Sequence, residues 1–116
     1  MSKEAFVYLE AHFKVLRLLE INPKMKQRDL AVAVGVSLGK TNYCINALLE
    51  KGLIKVQNFK NNKNKLAYAY ILTPAGISEK TVLTQRFLKQ KMKEYEMLKE
   101  EIELLKLEVS DSSKSC

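Results

Sequence analysis

Residues 27–53 read QRDLAVAVGVSLGKTNYCINALLEKGL, and this segment carries the most informative pattern of the sequence. A short helix is predicted over residues 27–34, because the apolar positions Leu30, Ala31 and Val34 recur on one face. Gly35 follows where a left-handed helix cap is favoured, and Ser37 offers a side-chain oxygen to the first amides of a second helix over residues 38–51. Two short helices joined in this way predict a helix-turn-helix.

Two β-prone runs follow this motif, Leu53–Phe59 and Leu66–Leu72. A polar loop, Lys60–Lys65, separates them, so the runs predict an antiparallel hairpin. The loop has no Gly, but its Asn residues tolerate positive φ and can supply the bend. The tip of the hairpin is therefore expected to carry positive charge on a protruding finger.

The segment before the motif, Glu4–Ile21, has the apolar spacing of a helix. Its apolar residues cover more than one face of that helix, which predicts burial from more than one side. We expect one side to meet the protein's own core and another side to meet a partner.

The segment after the hairpin predicts one long helix over residues 74–109. Thr73 can cap this helix, Pro74 fits its first turn, and no breaker follows until Ser110. At about 1.5 Å per residue such a helix is on the order of 54 Å long, more than a small domain needs for its own core. Residues 110–116 are predicted to be a disordered tail.

The long helix carries an apolar seam of the coiled-coil type. Leu88, Tyr95, Ile102 and Val109 recur every seven residues, and two leucines occupy the intervening d positions, Leu98 and Leu105. Lys91 interrupts the first d position. We therefore expect residues 1–76 to form a winged helix-turn-helix domain and residues 77–109 to form a dimerisation helix. The first helix is expected to contribute to the dimer interface as well.

The composition fits one compact folded domain. The chain has 116 residues, 47% of them hydrophobic, and 20 Lys and Arg against 13 Asp and Glu give a net charge of +7. Residues 1–93 carry 17 basic and 6 acidic residues, a net charge of +11, whereas residues 94–116 carry 3 and 7, a net charge of −4. A basic body with an acidic end suits a surface that faces a polyanion, although surplus lysine also serves solubility alone.

Cysteine usage and hydropathy restrict the location of the protein. Its two cysteines, Cys44 and Cys116, cannot build a disulfide framework or a paired zinc site. We find neither a signal peptide nor an apolar run near the roughly 20 residues that span a bilayer. The expected location is the cytoplasm, without membrane contact.

The motifs and their order resemble the MarR-type transcriptional regulators. The resemblance rests on the run Gln27–Ile54 and on the closing Leu72–Gly76. More narrowly, Val36–Cys44, Val56–Asn61 and Lys65–Tyr70 look like a small branch of that group associated with exopolysaccharide gene clusters. The resemblance implies a mainly α fold with a β-hairpin wing and a long C-terminal dimerisation helix, which together bind double-stranded DNA.

Two residue patterns depart from the group. Lys26 stands where relatives usually have a Ser or Thr cap, and the wing carries Lys63-Asn64-Lys65 in place of an Asp-Arg arrangement. An extra C-terminal helix of the larger relatives is also missing, so the resemblance identifies no small-molecule effector. It leaves the DNA-binding core and a helical dimer as the expectation.

The second helix of the motif is the candidate recognition helix. Thr41, Cys44 and Leu48 share one face and are expected to pack inward. The candidate DNA contacts at the start of the helix and on its outward face are Ser37, Leu38, Gly39, Lys40, Asn42, Tyr43 and Asn46. In a major groove, Asn42 or Asn46 can pair with adenine edges and Lys40 with guanine or phosphate. Contacts to phosphates and the minor groove are expected from the start of the preceding helix and from the wing: Gln27, Arg28, Lys60, Asn61, Asn62, Lys63, Asn64 and Lys65.

A single helix-turn-helix reads few bases, so a second copy is expected. Two copies related by a two-fold axis meet successive major grooves about 34 Å apart, which predicts an inverted-repeat operator. The candidate dimer interface comprises Phe6, Leu9, Phe13, Leu88, Tyr95, Leu98, Ile102 and Leu105.

Catalysis has little support in the sequence. There is no Gly-rich phosphate loop, and the lone His12 lies between apolar neighbours, so we predict no catalytic residue, metal or cofactor. Cys44 is interpreted as a small buried hydrophobe rather than an oxidant sensor. The alternative function is a winged-helix and coiled-coil adaptor that binds protein and not DNA; a steep fall of affinity with salt would distinguish DNA binding from it.

Overall fold

The structure is a computed structural model that describes residues 3–60, 63 and 66–114, with the side chains of residues 9–60, 63 and 67–112. It confirms the predicted fold class, mainly helical with a two-stranded antiparallel hairpin. The elements in chain order are α1 (Lys3–Ile21), α2 (Gln27–Val34), α3 (Leu38–Glu50), β1 (Ile54–Lys60), β2 (Leu66–Leu72) and α4 (Pro74–Lys114). The chain divides into two compact units, Met1–Thr84 and Gln85–Cys116, so the division falls within α4 and not after Gly76.

The core of the first unit forms where α1, α2, α3 and the hairpin meet. Its apolar side chains come from every one of these elements, and α4 adds Leu83, which is only 2% exposed. This burial holds the first turns of α4 in the first unit and explains why the unit extends beyond Gly76. The most deeply buried apolar side chains are Val15, Leu16, Leu19, Leu30, Ile45 and Leu48.

The turn between α2 and α3 follows the predicted chemistry. Gly35 has φ 83°, in the left-handed region, and its N–H donates to Ala31 O at 2.9 Å. Ser37 Oγ accepts the N–H of Lys40 at 3.1 Å and so caps α3. Lys26 occupies the N-cap position of α2 and provides no side-chain cap, as its residue type led us to expect.

The base of the hairpin is fixed by the junction with α4. Thr73 donates from its N–H to Leu53 O at 3.0 Å and from its Oγ1 to Gly52 O at 2.6 Å. The same Oγ1 accepts the N–H of Gly76 at 3.1 Å. A methyl group on Gly76 would overlap the Leu53 carbonyl, so only glycine allows this close approach. The register above this base pairs Ile54 with Leu72 and continues to the ends of both strands.

The second unit consists of the distal part of α4. The helix continues to Lys114, so the prediction of a disordered tail from residue 110 is wrong for residues 110–114, and residues 115 and 116 lie outside the described part. Ser and Asp lower helix propensity by only a few tenths of a kcal/mol each, which is too little to stop a helix that no Pro or Gly interrupts. Among the residues that the structure describes, no helix is long and apolar enough to cross a membrane.

Candidate nucleic-acid interface

Helix α3 has one buried face and one exposed face. The buried face consists of Thr41, Cys44, Ile45 and Leu48, of which Thr41, Cys44 and Leu48 were predicted to point inward. The opposite face is exposed at all the positions predicted to contact DNA: Ser37, Leu38, Gly39, Lys40, Asn42, Tyr43 and Asn46. Packing against the core thus fixes the rotation of the helix and leaves a polar surface outward.

Two asparagines on the exposed face are joined to each other. The Nδ2 of Asn46 donates to Oδ1 of Asn42 at 2.7 Å, a distance typical of a strong side-chain hydrogen bond. The bond uses one donor hydrogen of Asn46 and one acceptor site of Asn42. The remaining amide N–H donors and carbonyl oxygen acceptors stay free to bind another group. An adenine edge requires one donor and one acceptor of this kind.

Gly39 has no packing reason to be glycine. A Cβ added at this position would meet no atom of the described chain within 4 Å. Glycine inside a helix is less favourable than alanine by about 1 kcal/mol. The packing of the described chain therefore does not require glycine at this position.

The side chains at the starts of α2 and α3 differ in the hydrogen bonds that they make within the chain. Gln27 Nε2 donates to the hydroxyl of Tyr70 at 3.1 Å, which ties the start of α2 to the hairpin. Arg28, the next residue, is exposed. Ser37 uses its Oγ as the acceptor in the α3 cap, and its hydroxyl hydrogen can still donate to a phosphate.

The described part of the hairpin tip is exposed. Lys60 ends β1, and Lys63 lies in the turn with its side chain exposed. The other predicted tip residues lie outside the described residues: Asn61, Asn62, Asn64 and Lys65.

Sequence reasoning missed Lys24, in the loop between α1 and α2. Its Nζ lies 4.7 Å from the centroid of the Phe59 ring, so this charge sits beside the hairpin. The same loop is held to the hairpin by the N–H of Tyr70, which donates to Pro23 O at 3.0 Å. The sequence signal was the basic loop itself, but only the fold reveals that the loop adjoins the hairpin.

Positive charge is concentrated around this interface. Residues 22–65 contain nine Lys and Arg but only two Asp and Glu, a net charge of +7, whereas residues 1–21 contain three of each. Lys24, Lys40 and Lys60 make no ion pair within the described part of the chain. Their charges are therefore not neutralised by neighbouring carboxylates and remain available to a polyanion.

The buried titratable groups lie behind the exposed face. Burial raises the pKa of the Cys44 thiol to about 11, against a smaller opposing effect of the positive Lys51. Burial, and to a smaller extent the positive Lys51, lowers the pKa of His12 to about 4. At neutral pH both groups are uncharged, which supports the interpretation of Cys44 as a core residue.

The predicted dimer residues differ in how far the chain buries them. Phe13 is 9% exposed, so most of its side chain packs within its own unit, and its contact with a partner stays a prediction. Leu9 is half-buried, and the side chain of Phe6 lies outside the described residues. The seam residues of α4 are all exposed: Leu88, Tyr95, Leu98, Ile102 and Leu105.

Comparisons with known proteins agree with this geometry. Residues 9–55 match the model of a family described as winged helix-turn-helix DNA-binding. The PcaV transcriptional regulator from Streptomyces coelicolor is similar with a TM-score of 0.56 and 20% identity, over 70% of this chain and 58% of that chain. MarR from Staphylococcus aureus, in complex with salicylate and kanamycin, is similar with a TM-score of 0.54 and 18% identity, over 70% of this chain and 53% of that chain. Sso10a-2, a DNA-binding protein from Sulfolobus solfataricus, is similar with a TM-score of 0.57 and 21% identity, over 84% of this chain and 94% of that chain.

The chain thus spans 58% and 53% of the PcaV and MarR chains. No curated protein matches its sequence. At these identities the structural likeness shows the fold, a winged helix-turn-helix with a long C-terminal helix, shared with MarR-type regulators. The family match over residues 9–55 points to the same winged helix-turn-helix fold, in a family described as DNA-binding.

Proposed function

We propose that the protein is a cytoplasmic, homodimeric transcriptional regulator that binds an inverted-repeat operator in double-stranded DNA. The observation that carries the proposal is the exposed polar face of α3, set in a segment, residues 22–65, that holds a net charge of +7. A buried face of four residues anchors this helix to the core. The helix can therefore enter a major groove as a rigid element.

In the major groove, α3 presents side chains of the types that read base edges. Asn42 and Asn46 together offer the donor and acceptor that adenine N7 and N6 require. Lys40 lies less than one helical turn from Asn42 and less than two from Asn46, and it can reach guanine or a phosphate. Gly39 lets the backbone of the first turn approach the DNA closely, since no side chain stands between them.

Outside the major groove, the hairpin and the helix starts supply charge. Lys60 and Lys63 lie at the hairpin tip, and Arg28 and Lys24 flank the start of α2. Contacts from such residues to phosphates release counterions, so the affinity should fall steeply as salt rises. The hairpin tip then follows the backbone or enters the minor groove beside the site that α3 reads.

A dimer makes the operator long enough to be specific. Two copies related by a two-fold axis bind half-sites about 34 Å apart on one face of DNA. The sequence resemblance to regulators associated with exopolysaccharide gene clusters selects the promoters of such clusters, with the protein's own upstream region, as the first operators to test.

The test measures binding to fluorescent duplexes of these promoters by anisotropy across a salt series. The variant Lys40→Ala with Asn42→Ala should weaken specific binding by about tenfold or more, because each lost base contact is worth about 1–3 kcal/mol. The matched control is Lys93→Ala with Gln90→Ala, which removes one lysine and one amide from α4 and should bind as the wild type does. Equal weakening in both variants would reject α3 as the reading helix.

The same measurements separate DNA binding from the adaptor alternative. For the wild type, log affinity should fall with log salt by about 0.9 for each phosphate contact. Affinity that is absent for every duplex, or that does not change with salt, would favour a protein-binding adaptor instead.

A further inference from the structure

We propose that two copies of the chain pair through α4 as a parallel, in-register, two-stranded coiled coil over residues 88–112. This inference rests on the homodimer in the proposed function and adds its orientation. The surface concerned is the heptad face of α4, defined as the a positions Leu88, Tyr95, Ile102 and Val109 and the d positions Lys91, Leu98, Leu105 and Ser112.

The heptad face is mostly apolar, yet no part of the chain that the structure describes covers it. Ile102 is 43% exposed, Leu105 52% and Leu98 54%, values expected for a helix with no neighbour on that side. Large exposed apolar surfaces on soluble helices mark sites of association. The spacing of seven residues is maintained over more than three heptads. The surface that fits this face is therefore another helix with the same repeat.

Three depressions along this face have the shape that a second helix fills. One is lined by Tyr95, Leu98, Lys99 and Ile102, with Glu103 at its edge. The first four are spaced i, i+3, i+4 and i+7, the set that forms the hole for one knob of a facing helix. The second depression lies one heptad further and is lined by Ile102, Leu105, Lys106 and Val109. The third surrounds the a position Val109 and is lined by Leu105, Glu108, Val109 and Ser112.

The residue types at the a and d positions favour a parallel pair. Ile102 and Val109 are β-branched and occupy a, whereas Leu98 and Leu105 occupy d. This division, with β-branched residues at a and leucine at d, is the one that favours two parallel strands over three or four. The positions that depart from this division are Leu88 and Tyr95 at a and Lys91 and Ser112 at d. The Nζ of Lys91 lies 3.2 Å from Glu94 Oε2 on its own helix.

The charges that flank the face specify the same orientation. The g positions are all glutamate, namely Glu94, Glu101 and Glu108, and the charged e positions are Lys99 and Lys106. In a parallel pair, each g residue faces the e residue of the partner's next heptad. Glu94 then meets the partner's Lys99, and Glu101 meets the partner's Lys106. In an antiparallel pair g faces g and e faces e, which sets glutamate against glutamate and lysine against lysine.

The orientation is tested by disulfide formation at two d positions that carry no apolar side chain. Lys91→Cys and Ser112→Cys are each made with Cys116→Ser, while Cys44 stays because it is buried. The two positions are 21 residues apart, about 32 Å along the helix. Each protein, and a mixture of the two carrying tags of different size, is oxidised with oxidised glutathione and run on a non-reducing gel.

A parallel pair predicts covalent dimers of each variant with itself and no dimer that joins position 91 to position 112. Dimers that join only 91 to 112 would establish the antiparallel pair and overturn the inference. No covalent dimer at all would also overturn it, and the Cys116→Ser protein alone is the control. DNA affinity and the sedimentation mass of the uncrosslinked protein are measured alongside, so the proposed dimeric regulator can stand even where the parallel pair fails.

Charge reversal gives a second, independent readout. Lys99→Glu with Lys106→Glu turns four attractive contacts of a parallel pair into repulsive ones. Each contact loses about 0.4 kcal/mol of attraction and gains about as much repulsion, so the dissociation constant should rise about 200-fold. Lys89→Glu with Lys93→Glu makes the same charge change at b and f positions, away from the face, and should leave the constant unchanged. In an antiparallel pair the first variant only exchanges lysine against lysine for glutamate against glutamate. A dissociation constant that stays the same in sedimentation would therefore overturn the inference.

Discussion

The two units of the chain use similar apolar residues to different ends. In the first unit, Leu48 on α3 is 0% exposed, because helices and strands distant in sequence close over it. In the second unit, Leu98 on α4 lies in an equally regular helical pattern and is 54% exposed. Helical periodicity therefore identifies an apolar face that needs a partner surface, but it does not say whether the same chain provides that surface.

The largest expected effect comes from making one substitution in both regions. Leu48→Ala should lower the free energy of unfolding by about 2–5 kcal/mol at any protein concentration, since the lost contacts lie within one chain. Leu98→Ala should cost little in dilute solution and more as concentration rises, because the contacts come from a second copy. Urea unfolding at roughly 1 and 100 μM measures both.

These two variants test directly whether the two units differ in this way. If Leu98→Ala destabilises equally at both concentrations, the distal part of α4 is covered by its own chain. If Leu48→Ala depends on concentration, the first unit is not an independent core.

A smaller effect follows from the buried histidine of the first unit. The pKa of His12 is lowered from 6.5 to about 4, so the unfolded chain binds a proton between these values and the folded chain does not. Stability is therefore full above pH 6.5 and declines as pH falls towards 4, by about 2 kcal/mol after allowance for screening. Urea unfolding from pH 7 to 4 should show this loss in the wild type, and the His12→Gln variant should show less of it. Parallel pH profiles for the two proteins would contradict a buried, neutral His12.

The smallest effect separates folding from binding within the first unit. Gly39→Ala should raise the free energy of unfolding by about 0.5 kcal/mol, because alanine favours the helix and nothing obstructs its methyl group. The same variant should weaken DNA binding, since the methyl group stands between α3 and the groove. Gly35→Ala is the control: its φ of 83° penalises a side chain, so stability should fall by about 1 kcal/mol. Unchanged DNA affinity in Gly39→Ala would remove the functional reason for this glycine.

Local chemistry made much of the fold predictable. The left-handed cap at Gly35 and the side-chain cap at Ser37 depend on residues within one turn, and both occur as expected. The hairpin strands lie within one residue of the predicted limits, since turn residues and β-branched runs define them locally. For the candidate site, the inward face of α3 followed from spacing alone.

Other features depended on contacts between distant residues and were not predictable. Phe13 was assigned to a dimer interface because its spacing marks an apolar face, and only the fold shows that most of its side chain packs within its own unit. Lys24 gained its place beside Phe59 only when the loop docked on the hairpin. The requirement for glycine at position 76 arises from the Leu53 carbonyl, which comes from another element.

The kinds and order of the elements, the caps between them and the uneven distribution of charge follow from the sequence, because these features depend on neighbours in the chain. Which apolar faces are covered follows from the fold, since coverage depends on residues brought together from distant segments. The fold buries Phe13 and Leu48 and leaves Leu98 and Ile102 exposed. The physical reason is that a helix presents the same repeat to its own core and to a partner, and only packing distinguishes the two.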